Sequence, residues 1–280
     1  MHQCTLPCLC CDRTKREFPG GILQKINVKT RWFVLFYAFG ALSLQTDWDN
    51  ALFAAVPQPK TLNFYTIMKN IPVLLAEKLL NISAIKLQPE IPFVWASGWN
   101  SPIYTDNRKT LSYPDVRSFI KLELARTIAE NFPEVDAIAG VATGAIAQGA
   151  LVADLLVKPY VYVRSSPKDH GLENLIEGNL KAGQKVVVVE DLVSTGSSSL
   201  KAVEAIRNAG CDVIGMVAIF TYEFPVAQKR FKDANVPLIT LSNYSAMLKV
   251  ALDINYIKES DVETLKEWRE DPENWVPKEI

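Results

Sequence analysis

Lys185-Val-Val-Val-Val-Glu-Asp-Leu-Val-Ser-Thr-Gly-Ser-Ser-Ser199 is the stretch that decides the fold of this chain. Val186 to Val189 are β-branched and apolar, which suits a strand covered on both faces of a parallel sheet. Glu190 and Asp191 end that strand, and ligands of open α/β sheets bind beyond the carboxyl ends of the strands. Ser194 to Ser198 then carry backbone N–H groups and hydroxyls to the start of a helix predicted over Ser199 to Ala209. Such a turn binds an anion, most often a phosphate. The two carboxylates beside it would repel phosphate, but they suit ribose hydroxyls or a magnesium-bound sugar. The stretch reads as a site for a ribose 5-phosphate.

Outward from it, strands alternate with helices. The pattern predicts helices over Ile71 to Leu80, Tyr113 to about Asn131, Thr143 to about Leu156, Phe224 to Ala234 and Ser260 to Arg269. Strands are predicted over Val135 to Val141, Tyr160 to Arg164, Lys185 to Asp191, Asp212 to Phe220 and Pro237 to Leu241. The alternation implies right-handed crossovers and an α/β fold with a mainly parallel central sheet flanked by helices. Phe93 to Tyr104, rich in aromatic residues around a Ser-Gly turn, is expected to form a small N-terminal subdomain covering the substrate.

Bulk properties exclude several classes. The formal charge is −1, so no general attraction to nucleic acid is implied. His2 and His170 are the only histidines, which removes most histidine-based metal sites. Cys4, Cys8, Cys10 and Cys11 crowd the first residues with Cys211 alone later, a distribution unlike a secreted disulfide framework, and the cluster lacks the second pair of a zinc site. Spacings for a Walker A loop or a dinucleotide fingerprint are absent.

Residues 1–67 read differently from the rest. Lys25, Lys29 and Arg31 precede an apolar run from Trp32 to Leu44. At about 13 residues the run is shorter than the ~20 that span a bilayer as a helix. Basic residues before a short apolar core resemble a signal peptide, with Phe53-Ala-Ala55 as a cleavage region. The expectation adopted is that Met68 is the natural start, residues 68–280 form the domain, and residues 1–67 stand outside its fold. A targeting segment and a poorly ordered appendage are the alternatives.

Three motifs carry a family resemblance. The Val-Val-Val-Val-Glu-Asp-Leu-Val-Ser-Thr-Gly-Ser-Ser stretch resembles the phosphoribosyl diphosphate (PRPP) motif of type I phosphoribosyltransferases. Tyr162-Val-Arg-Ser-Ser-Pro-Lys-Asp-His-Gly171 resembles the mobile catalytic loop of the orotate phosphoribosyltransferase family, and Trp95-Ala-Ser-Gly-Trp-Asn-Ser-Pro-Ile-Tyr-Thr-Asp-Asn-Arg108 its substrate-side segment. The likeness runs from about Met68 to the C-terminus.

The resemblance implies transfer of the phosphoribosyl group of PRPP to orotate, giving orotidine 5′-monophosphate and pyrophosphate, a step of pyrimidine synthesis. It implies that Lys168, His170 and Asp191 are catalytic. PRPP would be bound by Arg164, Lys168, His170, Glu190, Asp191, Leu192, Val193, Ser194, Thr195, Gly196, Ser197 and Ser198, and orotate by Ser194, Tyr104 and Ser97. A second N–H-rich turn for pyrophosphate is expected at Thr143-Gly-Ala-Ile146. Magnesium would ride on the diphosphate rather than on protein ligands. A cytoplasmic homodimer is implied, its catalytic loop reaching the neighbouring active site, without nucleic-acid or membrane partners. Ala96, Thr143 and Ser165 stand where many members carry lysine, and Ser197 where glycine is frequent. No arginine follows the strand ending near Tyr222, which leaves the partner of the orotate carboxylate open. The rival expectations are a purine-base phosphoribosyltransferase and a non-catalytic PRPP-binding regulator on the same fold.

Overall fold

The computed structural model describes residues 70–95, 97–166 and 175–277. The chain divides into two units, Met1–Pro59 and Lys60–Ile280, and every described residue belongs to the second. The expectations for residues 1–67, Ala96, Lys168 and His170 therefore fall outside the described residues.

A six-stranded sheet is the frame. Its strands are β5 (Ala137–Val141), β6 (Tyr160–Val163), β7 (Ile176–Glu177), β8 (Lys185–Val193), β9 (Asp212–Thr221) and β10 (Leu238–Asn243). They lie in the order β10-β9-β8-β5-β6-β7, and every pair is parallel except β6 with β7. Val186, Val187, Val188 and Val189 are all fully buried, as a strand covered on both faces requires. Helices α2 (Pro114–Asn131), α3 (Ile146–Leu156), α4 (Ser197–Asn208) and α5 (Pro225–Asp233) alternate with these strands. Pro114 and Pro225 open their helices at positions where a missing N–H costs nothing.

The N-terminal part is built from α1 (Ile71–Asn81) and four short strands, β1 (Ile85–Leu87), β2 (Phe93–Val94), β3 (Asn100–Ser101) and β4 (Ile103–Thr105). β1 pairs with β4 and β2 with β3, both antiparallel. A 3₁₀ helix, Asn107–Ser112, leads into α2. Two further helices, α6 (Tyr244–Asp253) and α7 (Asp261–Glu270), close the chain. Helix α1 packs against β10 and α6. Among the described residues no helix is long and apolar enough to cross a membrane.

Several boundaries correct the sequence reading, among them the helix predicted from Thr143, which begins at Ile146. Strand β8 continues past Asp191 to Val193, because Leu192 and Val193 pair with Phe220 and Thr221 of β9. Helix α4 begins at Ser197 rather than Ser199, so Ser197 and Ser198 lie in its first turn.

Candidate active site

The strand order places the site. From β5 the chain moves to β6 on one side, whereas β8 leads to β9 and β10 on the other. The carboxyl ends of adjacent β5 and β8 thus form a topological switch point, where successive connections diverge and leave a crevice. Into it come the turn after β5, with a cis peptide between Ala142 and Thr143, and the carboxylate of Asp191 from β8. The two approach so closely that a β-carbon on Gly144 would overlap the Asp191 carboxylate. A larger residue there would have to push the carboxylate aside.

Asp191 is held from a third direction. Asn107 Nδ2 donates to the Asp191 backbone carbonyl at 2.6 Å, across 84 residues of sequence. The Thr110 hydroxyl donates to the Asn107 carbonyl at 2.6 Å, and Gln148 Nε2 of α3 donates to the Thr110 hydroxyl at 3.4 Å. Asn107, Thr110 and Gln148 are all buried. This polar cluster joins the covering part, the helix after the turn and the end of β8.

Glu190, adjacent in sequence, is buried beneath it. It is only 4% exposed; one carboxylate oxygen accepts from the Ser199 hydroxyl at 2.9 Å and the other from the Asp191 N–H at 3.0 Å. Burial, and next the Asp191 charge, push its carboxyl well above the usual range. The paired carboxylates expected from sequence are therefore unlike: Asp191 is half-buried at the crevice, and Glu190 is inside the fold.

Beyond β8 the loop turns at Gly196, whose φ of +78° lies in the left-handed region that favours glycine. The first turn of α4 leaves N–H groups without intrahelical acceptors, and no side chain caps this helix. Ser197 and Ser198 are exposed. The result is a cluster of open donors suited to an anion. Arg230 of α5, absent from the sequence reading, braces the loop from outside through Thr195 and Ser197. Val193 is fully buried and its carbonyl accepts from the Tyr222 N–H and the Thr221 hydroxyl, each at 3.2 Å.

Past the end of β8 lies a cavity of about 510 Å³. Ser97, Tyr104 and Ser194, expected on the base side, all line it, together with Leu192 and Thr195. Trp95, Trp99 and Thr105 of the expected substrate-side segment also line it, as does Tyr222, which was not anticipated. Trp95 stacks on Tyr222 with centroids 5.3 Å apart and on Trp99 at 6.5 Å. Trp268 of α7 meets Trp95 edge-on at 5.6 Å, and its indole N–H donates to the Asn100 carbonyl of β3 at 3.2 Å. A C-terminal helix thereby holds the covering hairpin in place. The two tryptophans flanking Ser97-Gly98 were the available signal, since aromatic faces beside a turn offer a surface for a planar ligand. Burial pushes the Tyr222 phenol far above its usual value, so it stays neutral.

Arg164, just beyond β6, lies 3.6 Å from the Glu177 carboxylate of β7. Its backbone N–H donates to the Leu175 carbonyl at 2.8 Å.

Comparison with known proteins agrees with this geometry. The chain is 70% identical over 208 residues to the orotate phosphoribosyltransferase of Bacteroides fragilis, a match covering 74% of this chain and 98% of that one. The chain belongs to the orotate phosphoribosyltransferase family. The Porphyromonas gingivalis member is 65% identical, with 74% of this chain and 99% of that one covered. A family described as the phosphoribosyl transferase domain matches residues 120–255. Among solved structures, the orotate phosphoribosyltransferase of Aeropyrum pernix superposes with a TM-score of 0.57 at 28% identity, over 66% of this chain and 99% of that one. The sheet, its crossovers and the helices around it are those of a type I phosphoribosyltransferase, and the chain is an enzyme of pyrimidine biosynthesis.

Proposed function

We propose that this site joins orotate to the phosphoribosyl group of PRPP, releasing pyrophosphate and forming orotidine 5′-monophosphate. One observation carries the reading: an open-donor loop borders an aromatic-walled cavity through Ser194 and Thr195, with Asp191 on the strand that leads into it, as a sugar flanked by a base and a 5′-phosphate requires. The planar base lies in the cavity beside Trp95, Trp99 and Tyr104. The 5′-phosphate takes the N–H groups and hydroxyls from Thr195 to Ser198. Asp191 accepts from a ribose hydroxyl, with Glu190 behind it. The turn from Thr143 to Ile146 receives the diphosphate, and Arg164, Lys168 and His170 supply cationic contacts to it.

In the reaction N1 of orotate gives up its proton to solvent and forms the bond to the anomeric carbon as the carbon–oxygen bond to pyrophosphate breaks, and the electron pair leaves with pyrophosphate. Positive charge gathers on the sugar in between, where the Asp191 carboxylate stabilises it. Orotate already carries electron density on its ring nitrogen, so the protein's contribution is positioning and exclusion of water.

The half-buried Asp191 carboxylate beside Gly144 is an oxygen donor at the crevice, a fit for a hydrated magnesium ion brought on the diphosphate. When bound, magnesium neutralises charge on the leaving group. We further propose a cytoplasmic homodimer in which Lys168 and His170 serve the neighbouring site, with residues 1–67 outside the catalytic fold.

The test is ultraviolet loss of orotate by the purified chain. Turnover should require both PRPP and magnesium, and adenine or hypoxanthine should not replace orotate. PRPP-dependent use of a purine would move the substrate, and PRPP binding with no turnover of any base would make the protein a regulator.

A further inference from the structure

Arg230 sits on the exposed side of α5 and is bound to the phosphate loop at two points. Its Nη1 donates to the Thr195 carbonyl at 2.9 Å and to the Ser197 hydroxyl at 2.7 Å. Each contact has a consequence for an anion. A loop that offers N–H groups to a phosphate must turn its carbonyl oxygens away, because they would repel it. Arg230 binds one of those carbonyls from outside the loop. The Ser197 hydroxyl accepts from the guanidinium and keeps its own proton to donate, and a hydroxyl polarised by a cation is a stronger donor.

The charge itself is uncompensated. Among the described residues no carboxylate lies within ion-pair distance of Arg230, although its neighbour Lys229 pairs with Asp233 at 2.6 Å. The spacing between helix and loop is fixed by Phe231, whose ring lies 3.0 Å from where a β-carbon on Gly196 would stand. Phe231 is buried while Arg230 is exposed, so one residue seats α5 against the loop and the next reaches over it. This also explains Ser197 in a place where the family often has glycine: its side chain has a specific partner rather than merely filling space.

We propose that Arg230 is a positioning residue of the 5′-phosphate subsite, acting through Thr195 and Ser197 and adding a positive charge beside a phosphomonoester dianion. The proposal rests on the phosphate reading of this loop. It concerns the 5′-phosphate alone, which separates it from the cations expected to face pyrophosphate.

The test is steady-state kinetics of Arg230→Met, Arg230→Lys and Ser197→Gly, with ribose 5-phosphate and pyrophosphate as competitive probes. Loss of charge-assisted hydrogen bonds at the loop should raise KM for PRPP and Ki for ribose 5-phosphate about tenfold in Arg230→Met. Turnover number, KM for orotate and Ki for pyrophosphate should stay within about twofold, because only ground-state binding at one end of the substrate is lost. Arg230→Lys should recover part of the affinity, and Ser197→Gly should make the Arg230→Met penalty smaller. Unchanged ribose 5-phosphate binding in Arg230→Met would overturn the proposal, as would equal weakening of pyrophosphate. Should Arg230→Met fail to fold, Arg230→Lys and Ser197→Gly decide: normal ribose 5-phosphate affinity in both overturns it. A wild-type chain that neither binds ribose 5-phosphate nor turns over PRPP would instead refute the functional reading beneath it.

Discussion

At the scale of single residues, Glu190 and Asp191 show how far adjacent identical charges can diverge. The strand alternates its side chains, so one carboxylate reaches the crevice while the next turns into the fold. Glu190 keeps hydrogen bonds to Ser199 and to the Asp191 N–H, yet burial still disfavours its charged form. That has a consequence for stability. Its pKa in the folded chain is raised above the ordinary 4.5, so between 4.5 and the raised value the native chain holds a proton that the unfolded chain has released. The stabilisation is complete below that window and is lost as pH rises through it. Glu190→Gln keeps the shape without the titration. Without ligand, its melting temperature relative to wild type should therefore climb as pH rises above 4.5. Parallel melting curves for the two proteins across that range would show that Glu190 does not titrate in this way.

Among the elements, the end of α3 carries a local backbone cost in the side chain it uses. Val157 closes that helix in the left-handed conformation, with φ of 53° and ψ of 47°, and is 89% exposed. A β-branched residue is poorly suited to this backbone, which is held by cap hydrogen bonds to the Ala153 and Asp154 carbonyls that any residue there would make. Val157→Gly should stabilise the fold by about 0.5–1 kcal/mol after the extra entropy of glycine in the unfolded chain is counted. Thermal melting should register a rise of about 1–4 °C, and Val157→Ala, which keeps a β-carbon, should give less than half of it. Equal gains from both variants would mean that the backbone is not strained there. What sequence could disclose about the elements follows a similar divide between local and distant causes. The valine run fixed β8 and, with it, the parallel sheet, because full burial leaves a continuous apolar pattern. Its last residues were hidden: Leu192 and Val193 are strand because β9 lies beside them, which no local pattern reports. Helix α6 was legible and overlooked, since Tyr244, Met247, Leu248 and Ala251 recur at helical spacing behind Asn243, whose side chain caps the N-terminus. Strand β1 is too short to announce itself and exists through β4. In the site, Ser97, Tyr104 and Ser194 were read from motifs. Asn107, Arg230 and Trp268 act across long stretches of chain, and only the folded arrangement brings them to the loop, the carboxylate and the hairpin.

The whole molecule poses the question of how many chains make one site. The described residues supply a carboxylate, the cavity proposed for the base and the loop proposed for the phosphate, all from one copy. The cations proposed to meet pyrophosphate, Lys168 and His170, are assigned to the neighbouring copy. If each site draws its loop from the partner, damage to the loop and damage to the carboxylate fall on different sites of a mixed dimer. Lys168→Ala and Asp191→Asn should each be nearly inactive alone. In an equal mixture that exchanges freely, half the dimers are mixed, and one of the two sites in each carries neither substitution, because a two-fold axis relates the contributions reciprocally. Activity should recover to about a quarter of wild type. The same chains made from Met68 onward should behave identically, since residues 1–67 are proposed to stand outside the catalytic fold. A mixture no more active than the sum of its parts, with subunit exchange verified by differently tagged chains, would place Lys168 and Asp191 in the same copy's site. Recovery in the full-length pair but not in the shortened pair would instead assign the first residues a part in assembling the dimer.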